Sequence, residues 1–155
     1  MNKTGHAAAT QEHPMTDVVR SAIVASPLAA LLGIELVEVA DDLVRARLPF
    51  RTEVTTIGDL VHGGAIAALV DVAATAAAWT RADLSRSPRG TTIGFSLNYL
   101  NGAVATDLVA TATVIQRGKS VQVIEVDVRG TGEKAIARAT VTYKLDHKAE
   151  VRPAA

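Results

Sequence analysis

The segment from Ala65 to Thr80 (AIAALVDVAATAAAWT) restricts the possible folds more than any other part of the chain. It is rich in alanine, the best helix former, and its length corresponds to about 24 Å of helix. Nearly all of its positions are apolar or small, and a helix that is apolar on every side must be buried on every side. One sheet in a chain of 155 residues covers only part of such a helix, so we expect a second subunit to cover the rest.

Signals for a short helix and a hairpin precede this segment. Pro27–Leu32 is predicted as a short helix that ends at Gly33, because glycine readily adopts the left-handed conformation found just beyond helix ends. Ile34–Val39 and Leu43–Leu48 are predicted as two short strands. A turn at residues 40–42 would join them into a β-hairpin.

The part of the chain from Gly90 to Leu145 is rich in β-branched residues and predicts three long strands. Apolar side chains occupy every second position from Ile93 to Tyr99, so we expect them on one face of a strand. Turns are predicted at Asn101-Gly102 and at Arg117-Gly118-Lys119, and a strand is predicted to begin at Val104. Strands grouped apart from helices indicate an α+β fold, with an antiparallel sheet wrapped around the long helix.

The composition excludes several classes of protein. Sixteen basic residues balance sixteen acidic ones, which argues against nucleic acid or an anionic membrane as a partner. The absence of cysteine excludes thiol nucleophiles, thiolate metal sites and disulfides. We expect one domain over residues 15–146, with a flexible N-terminal arm over 1–14 and a flexible tail over 147–155.

The sequence also bears on location and cofactors. Its first residues contain no apolar segment typical of a secretion signal, and no stretch approaches the ~18 apolar residues of a membrane span. We therefore expect a cytoplasmic protein. The four histidines show no two-histidine metal spacing, and the G-x-S-x-G motif of serine hydrolases is absent. We expect neither a metal nor another cofactor.

Asp71 is the only charged residue of the central segment. A carboxylate among apolar neighbours is costly to bury unless another group pairs with it. One interpretation is structural: Asp71 lies on a narrow solvated stripe, or accepts a hydrogen bond from Thr75 or from a distant residue. The other is a catalytic carboxylate, a general base or a nucleophile, in a cleft between subunits.

His62-Gly63-Gly64 immediately precedes the central helix. Two glycines allow a carbonyl or phosphate group to approach the backbone closely. The free amides of the first helical turn, together with the helix dipole, suit an oxyanion. The alternative is that the glycines only shape the loop and that His62 is a cap or packing residue.

The segment Val61–Asp71 (VHGGAIAALVD) resembles the signature of the hotdog-fold acyl-CoA thioesterases, specifically the PaaI-like group. The resemblance extends through Thr91–Leu100 (TTIGFSLNYL), the turn at 116–120 and the last strand, and covers roughly residues 27–145. It implies an antiparallel sheet of about five strands around one long helix. It also implies hydrolysis of acyl-CoA thioesters by dimers, or by dimers paired into tetramers, with composite active sites.

The resemblance assigns a role to each residue of the motif. The amide of Gly64 would polarise the thioester carbonyl, and His62 would shape and hydrogen-bond that loop. Asp71, contributed by the neighbouring subunit, would act as the nucleophile or as the base for a water molecule. Thr92 lies where relatives often carry a serine or threonine that orients the water.

The resemblance implies that the turn that follows Gln116 binds the nucleotide or phosphates of CoA. Two cations and a glycine at one hairpin tip suit this role. The residues predicted to contact CoA are Arg117, Gly118, Lys119, Ser120 and Asn101.

Two positions depart from the family pattern. Thr56 replaces an asparagine that often lies near the reacting centre, and Asn101-Gly102 replaces an Arg-Pro pair.

A second function remains open on the same fold. The domain could be an acyl-CoA-binding or sensor module without catalytic activity. Asp71 distinguishes the two, because a pure binder has no need of a carboxylate beside the thioester.

Overall fold

The computed structural model describes residues 12–147. The flexible arm and the flexible tail predicted at the two ends lie almost wholly outside these residues. The helices are α1 (Thr16–Val18), a π-helical turn (Val19–Val24), α2 (Pro27–Leu32) and α3 (Gly63–Trp79). The strands are β1 (Glu35–Ala40), β2 (Leu43–Leu48), β3 (Arg89–Tyr99), β4 (Leu108–Arg117), β5 (Val121–Arg129) and β6 (Ala135–Asp146).

The short elements before α3 follow the local signals. Helix α2 begins at Pro27, directly after Ser26, and Gly33 ends it with a φ of 72°. The hairpin of β1 and β2 turns at Asp42, which has a φ of 59°. These predictions are confirmed.

All strands join one antiparallel sheet in the order β1-β2-β4-β5-β6-β3. The α+β hotdog fold is confirmed, with six strands instead of about five. The difference arises after Gly90, where the chain forms four strands and not three. Strand β3 does not pair with β4, its successor in sequence, but with β6 at the far edge of the sheet.

The segment between β3 and β4 departs from the prediction. Asn101-Gly102 does not form a hairpin, because the chain must cross two strands to enter the sheet between β2 and β5. Residues 100–107 make this crossing, so β4 begins at Leu108 and not at Val104. On the way, the carbonyl of Ala103 accepts a hydrogen bond from the amide of Val61, just before α3.

Helix α3 lies on the inner face of the sheet, and one side of it is fully buried there. The opposite side carries a half-buried stripe formed by Ala67, Ala68, Asp71, Val72, Thr75 and Trp79. One chain therefore covers only part of the helix, as its apolar sequence predicts. No helix among residues 12–147 is long and apolar enough to cross a membrane.

Candidate active site

Asp71 lies at the middle of α3, in the half-buried stripe. The hydroxyl of Thr92 on β3 donates a hydrogen bond of 2.6 Å to its Oδ1 atom. Its partner is thus a distant residue and not Thr75, and the two predicted site residues Asp71 and Thr92 lie together. Oδ2 accepts no hydrogen bond from the described residues, so one carboxylate oxygen is held while the other can meet a ligand.

A β-bulge at Ile93 directs Thr92 toward the helix. Thr92 lies opposite Tyr143 of β6, whereas Gly94 lies opposite the next residue, Thr142, so Ile93 is the extra residue. Regular alternation from Phe95 predicts that Ile93 faces the helix. The bulge transfers this inward position to Thr92 and leaves Ile93 55% exposed.

Polar side chains continue from Thr92 across the inner face of the sheet, beneath the C-terminal half of α3. Thr92, Tyr143, Gln122 and Arg117 lie opposite one another on β3, β6, β5 and β4. The Oε1 atom of Gln122 is buried and has no hydrogen-bond partner among the described residues. We name these four residues the polar row. Sequence reasoning missed it, because it follows from the register of strands that are far apart in the chain.

Tyr143 is the most enclosed phenol of the described chain. Trp79 Nε1 donates a hydrogen bond of 2.8 Å to its hydroxyl. Burial raises the pKa of Tyr143, the bond from Trp79 opposes this rise, and the nearby charge of Asp71 adds to it. The ring packs directly over Gly90, where a Cβ atom would collide with it. Tyr143 therefore keeps its proton at neutral pH beside the Asp71 carboxylate.

His62 is the N-cap of α3. Its Nδ1 atom accepts a hydrogen bond of 2.8 Å from the amide of Gly64. This is the cap anticipated as the structural alternative, and it uses the amide predicted to polarise a carbonyl. Both residues are exposed, so a ligand can reach this amide when the ring of His62 turns aside.

Gly64 and Asp71 of one chain do not meet. They are seven positions apart on α3, which places them on the same face about 10 Å apart along the axis. One thioester carbon cannot contact both. Thr75, which the resemblance gives no role, lies one turn beyond Asp71 on the same stripe, and its i+4 spacing is the signal that marks it.

The guanidinium of Arg117 does not lie where its place beside the hairpin tip suggests. It does not extend from the tip but donates to Asp42 Oδ1, at 2.9 Å from Nε and 2.6 Å from Nη2. It also donates to the carbonyl of Ala78, in the last turn of α3, at 3.1 Å. Although burial acts to raise the pKa of Asp42, hydrogen bonds from Arg117 and Arg81 hold it below its usual value. We name this contact of Arg117 with Asp42 and the end of α3 the C-terminal clamp.

The other predicted CoA contacts separate into two places. Gly118, Lys119 and Ser120 form the tip between β4 and β5, with Lys119 exposed. Asn101 lies at the opposite end of the sheet, where its side-chain amide donates to the carbonyl of Ala135 at 2.8 Å. A single chain therefore does not bring Asn101 to the tip. Thr56 is exposed in the loop before His62.

A groove lies on the outer face of the sheet, on the side away from α3. Its volume is about 540 Å³, and charged and polar side chains such as Arg45, Glu125 and Arg138 line it. None of the predicted site residues contributes to it. Within residues 12–147, no three potential metal ligands lie together.

Known proteins match this chain in sequence and in fold. The family model of the thioesterase superfamily matches residues 58–137. A candidate esterase of Halobacterium salinarum is 31% identical over 116 residues, which are 73% of this chain and 76% of that protein. The medium/long-chain acyl-CoA thioesterase YigI of Escherichia coli is 28% identical over 134 residues. The match covers 77% of this chain and 85% of YigI.

Among solved structures, the PaaI protein of the Escherichia coli phenylacetic acid degradation operon superposes with a TM-score of 0.74. It is 17% identical, and the match covers 84% of this chain and 91% of PaaI, so it bears on the fold alone. The family match extends over more than half of the chain and includes both His62-Gly63-Gly64 and Asp71. The chain belongs to the thioesterase superfamily of hotdog-fold proteins and is a thioester hydrolase.

Proposed function

We propose that the protein hydrolyses acyl-CoA thioesters and that Asp71 performs the chemistry. The observation that carries the proposal is a carboxylate on a face of small and apolar residues, with one oxygen held by Thr92 and the other without a hydrogen-bond donor among residues 12–147. Acyl-CoA as the substrate class is supported by the name of the relative YigI. The cytoplasmic location inferred from the sequence stays a prediction.

We further propose that each active site is composite. Gly64 and Asp71 share one helix face but are about 10 Å apart, and two antiparallel copies of α3 would bring Gly64 of one chain beside Asp71 of the other. Strand β3 supports this assembly, because it is the edge strand next to that helix face and pairs on one side only within the part of the chain that the structure describes. Its inward residues Phe95 and Tyr99 are 44% and 53% exposed in one chain. A dimer is the minimal form, and pairing of dimers into a tetramer would leave this seam intact.

In this arrangement the thioester oxygen accepts a hydrogen bond from the amide of Gly64 after the ring of His62 turns away. Oδ2 of Asp71 then either takes a proton from water, which attacks the carbonyl carbon, or attacks that carbon itself to form an anhydride that water cleaves. In both routes the C–S bond breaks and the CoA sulfur takes up a proton. Thr92 holds Asp71 in place, and Thr75 can hydrogen-bond the water.

The CoA contacts are proposed at the hairpin tip. Lys119 is exposed there and can meet a phosphate, with Gly118 and Ser120 beside it. Arg117 acts indirectly by fixing the base of the tip, since its donors are already engaged with Asp42 and α3. Asn101 can contact CoA only across the subunit boundary.

The alternative of an acyl-CoA-binding module without catalysis has less support, because the chain belongs to a superfamily of thioesterases. The amide of Gly64 is bonded to His62 in the structure, so hydrolysis by the proposed route requires this cap to open.

The deciding experiment measures thiol release from a panel of acyl-CoA thioesters that differ in chain length and aromatic content. The chain contains no cysteine, so a thiol reagent reports the released CoA alone. Asp71→Asn, purified in the same way, controls for contaminating esterases. Turnover by the wild type alone supports the hydrolase. Tight binding of acyl-CoA without thiol release by either protein would establish the binding module instead.

A further inference from the structure

The two glycines of the His62 motif share one peptide group, and side chains hold it from both ends. Tyr99, at the end of β3, donates a hydrogen bond of 2.7 Å from its hydroxyl to the carbonyl oxygen of Gly63. The amide of Gly64, on the other side of the same planar peptide, donates to His62 Nδ1 at 2.8 Å. The amide proposed to bind the thioester oxygen is therefore oriented by Tyr99 through the peptide plane.

Each glycine makes room for a different neighbour. A Cβ atom at position 63 would lie 3.1 Å from the hydroxyl of Tyr99. A Cβ atom at position 64 would lie 2.9 Å from Nδ1 of His62, closer than real Cβ atoms approach. The pair Gly63-Gly64 thus admits the phenol on one side and the imidazole on the other. A general need for loop flexibility does not account for these two separate contacts.

The hydrogen bond from Tyr99 also changes the strength of the amide as a donor. A donor on a peptide oxygen draws electron density from the nitrogen, so hydrogen bonds along a chain of peptides reinforce one another. The hydroxyl of Tyr99 therefore makes the Gly64 amide a better partner for a developing oxyanion. This effect grows as negative charge builds on the thioester oxygen, so it acts on the transition state more than on bound substrate.

The geometry points to Tyr99 as a positioning residue for the oxyanion donor, acting through the Gly63–Gly64 peptide. This inference rests on the proposed function, since it requires that the Gly64 amide meets the thioester oxygen. Tyr99 does not itself touch the reacting atoms. Its side chain is half exposed at the edge of the sheet, so loss of its hydroxyl alone leaves the core intact.

The test is Tyr99→Phe, which removes the hydroxyl and keeps the ring against Gly63. We expect kcat to fall about tenfold, less than the ~100-fold or more that follows complete loss of an oxyanion donor. KM for acyl-CoA and the melting temperature should stay near those of the wild type. A fall in kcat/KM caused by KM alone would overturn the inference, because Tyr99 would then contribute only to binding.

A spectroscopic measurement separates positioning from a structural role. The carbonyl stretch of an acyl-CoA thioester bound to the slow variant Asp71→Asn should shift to lower frequency than in solution. The shift should be smaller in the double variant Asp71→Asn, Tyr99→Phe. An equal shift in both proteins, or wild-type kcat in Tyr99→Phe, would refute a role for Tyr99. If the wild type releases no thiol from any acyl-CoA, the proposed function fails first, which is a distinct result.

Discussion

The 2.6 Å hydrogen bond from Thr92 to Asp71 connects the edge strand of the sheet to the middle of the central helix. A hydroxyl that donates to a carboxylate forms one of the stronger hydrogen bonds in proteins. It fixes which oxygen of Asp71 faces the sheet and which faces the open side of α3. The position of the proposed catalytic oxygen is therefore set by a residue of β3, the strand where we expect a second subunit.

Asp71→Asn should fold and bind acyl-CoA like the wild type but turn over at least about a hundredfold more slowly, the scale on which a positioned acid–base group acts. Steady-state thiol release and acyl-CoA binding, measured on the same preparation, test this. The matched control is Asp17→Asn, at an exposed position on α1. If the variant turns over as fast as the wild type, Asp71 lies on a solvated stripe and takes no part in the reaction.

Thr92→Val removes the hydroxyl and keeps the shape of the side chain, so Asp71 loses its only hydrogen-bond donor among the described residues. We expect kcat to fall by about tenfold or more, because a hydrogen bond to a charged group contributes about 1.5–3 kcal/mol. Thr92→Ser retains the hydroxyl and should recover most of the rate. If the serine and valine variants are equally slow, the hydroxyl is not the reason for the loss.

Lys119→Ala should raise KM for a full acyl-CoA with little change in kcat, because it removes a contact that is equal in the ground and transition states. The KM for an acyl-pantetheine, which lacks the nucleotide, should not change. Added salt should weaken the wild type more than the variant. Arg45→Ala, at a partly exposed cation on β2, is the control. An unchanged KM for acyl-CoA in Lys119→Ala would mean that the phosphates bind elsewhere.

Arg117→Ala should lower stability and not selectively raise KM, since it opens the C-terminal clamp. Loss of hydrogen bonds to a carboxylate and to helix carbonyls corresponds to about 1–3 kcal/mol of unfolding free energy. The folded-state pKa of Asp42 lies below its ordinary value of 3.8, so its ion pair stabilises the protein above that pH. This contribution is lost as the pH falls through the folded-state pKa.

Urea unfolding of the wild type and Arg117→Ala at several pH values tests the clamp. The difference in unfolding free energy should be largest at neutral pH and should shrink below about pH 4. Arg20→Ala, which breaks only exposed surface pairs with Glu12 and Asp17, should change stability little. A pH-independent difference would show that the charge of Asp42 is not involved.

Phe95→Glu should disrupt the proposed contact between subunits. It places a charge on the helix side of β3, at a position that is exposed in a single chain. We expect light scattering to report monomers and thiol release to fall with them. Ser96→Glu adds the same charge on the outward face of the same strand and should leave the dimer intact. An active monomeric Phe95→Glu would contradict the composite site.

Much of the fold was predictable because its signals are local. Alanine content predicts α3, and Pro27 and Gly33 predict the two ends of α2. Asp71 stands out because it is the one charged residue among apolar neighbours in its helix. These features depend on residues within one or two helical turns. The candidate site was recognised in the same way, from a short motif at a fixed spacing.

The features that sequence reasoning missed depend on contacts between distant residues. The bulge at Ile93 has no marker in the alternating pattern around it, yet it decides that Thr92 faces Asp71. Arg117 reaches Asp42 across 75 residues, and Tyr99 reaches Gly63 across 36. Each of these pairs follows from strand order and register, which a single sequence does not display.

The C-terminal clamp makes the two ends of α3 unequal. At one end, Arg117 and Thr80 bind the final carbonyls and tie the helix to the β1–β2 turn. At the other end, exposed contacts of His62 and Tyr99 hold the first turn. The loop before it is tied down as well, because the amides of Val61 and His62 donate to backbone carbonyls. A substrate that displaces the ring of His62 would therefore exchange one exposed hydrogen bond and leave the anchored end of the helix untouched.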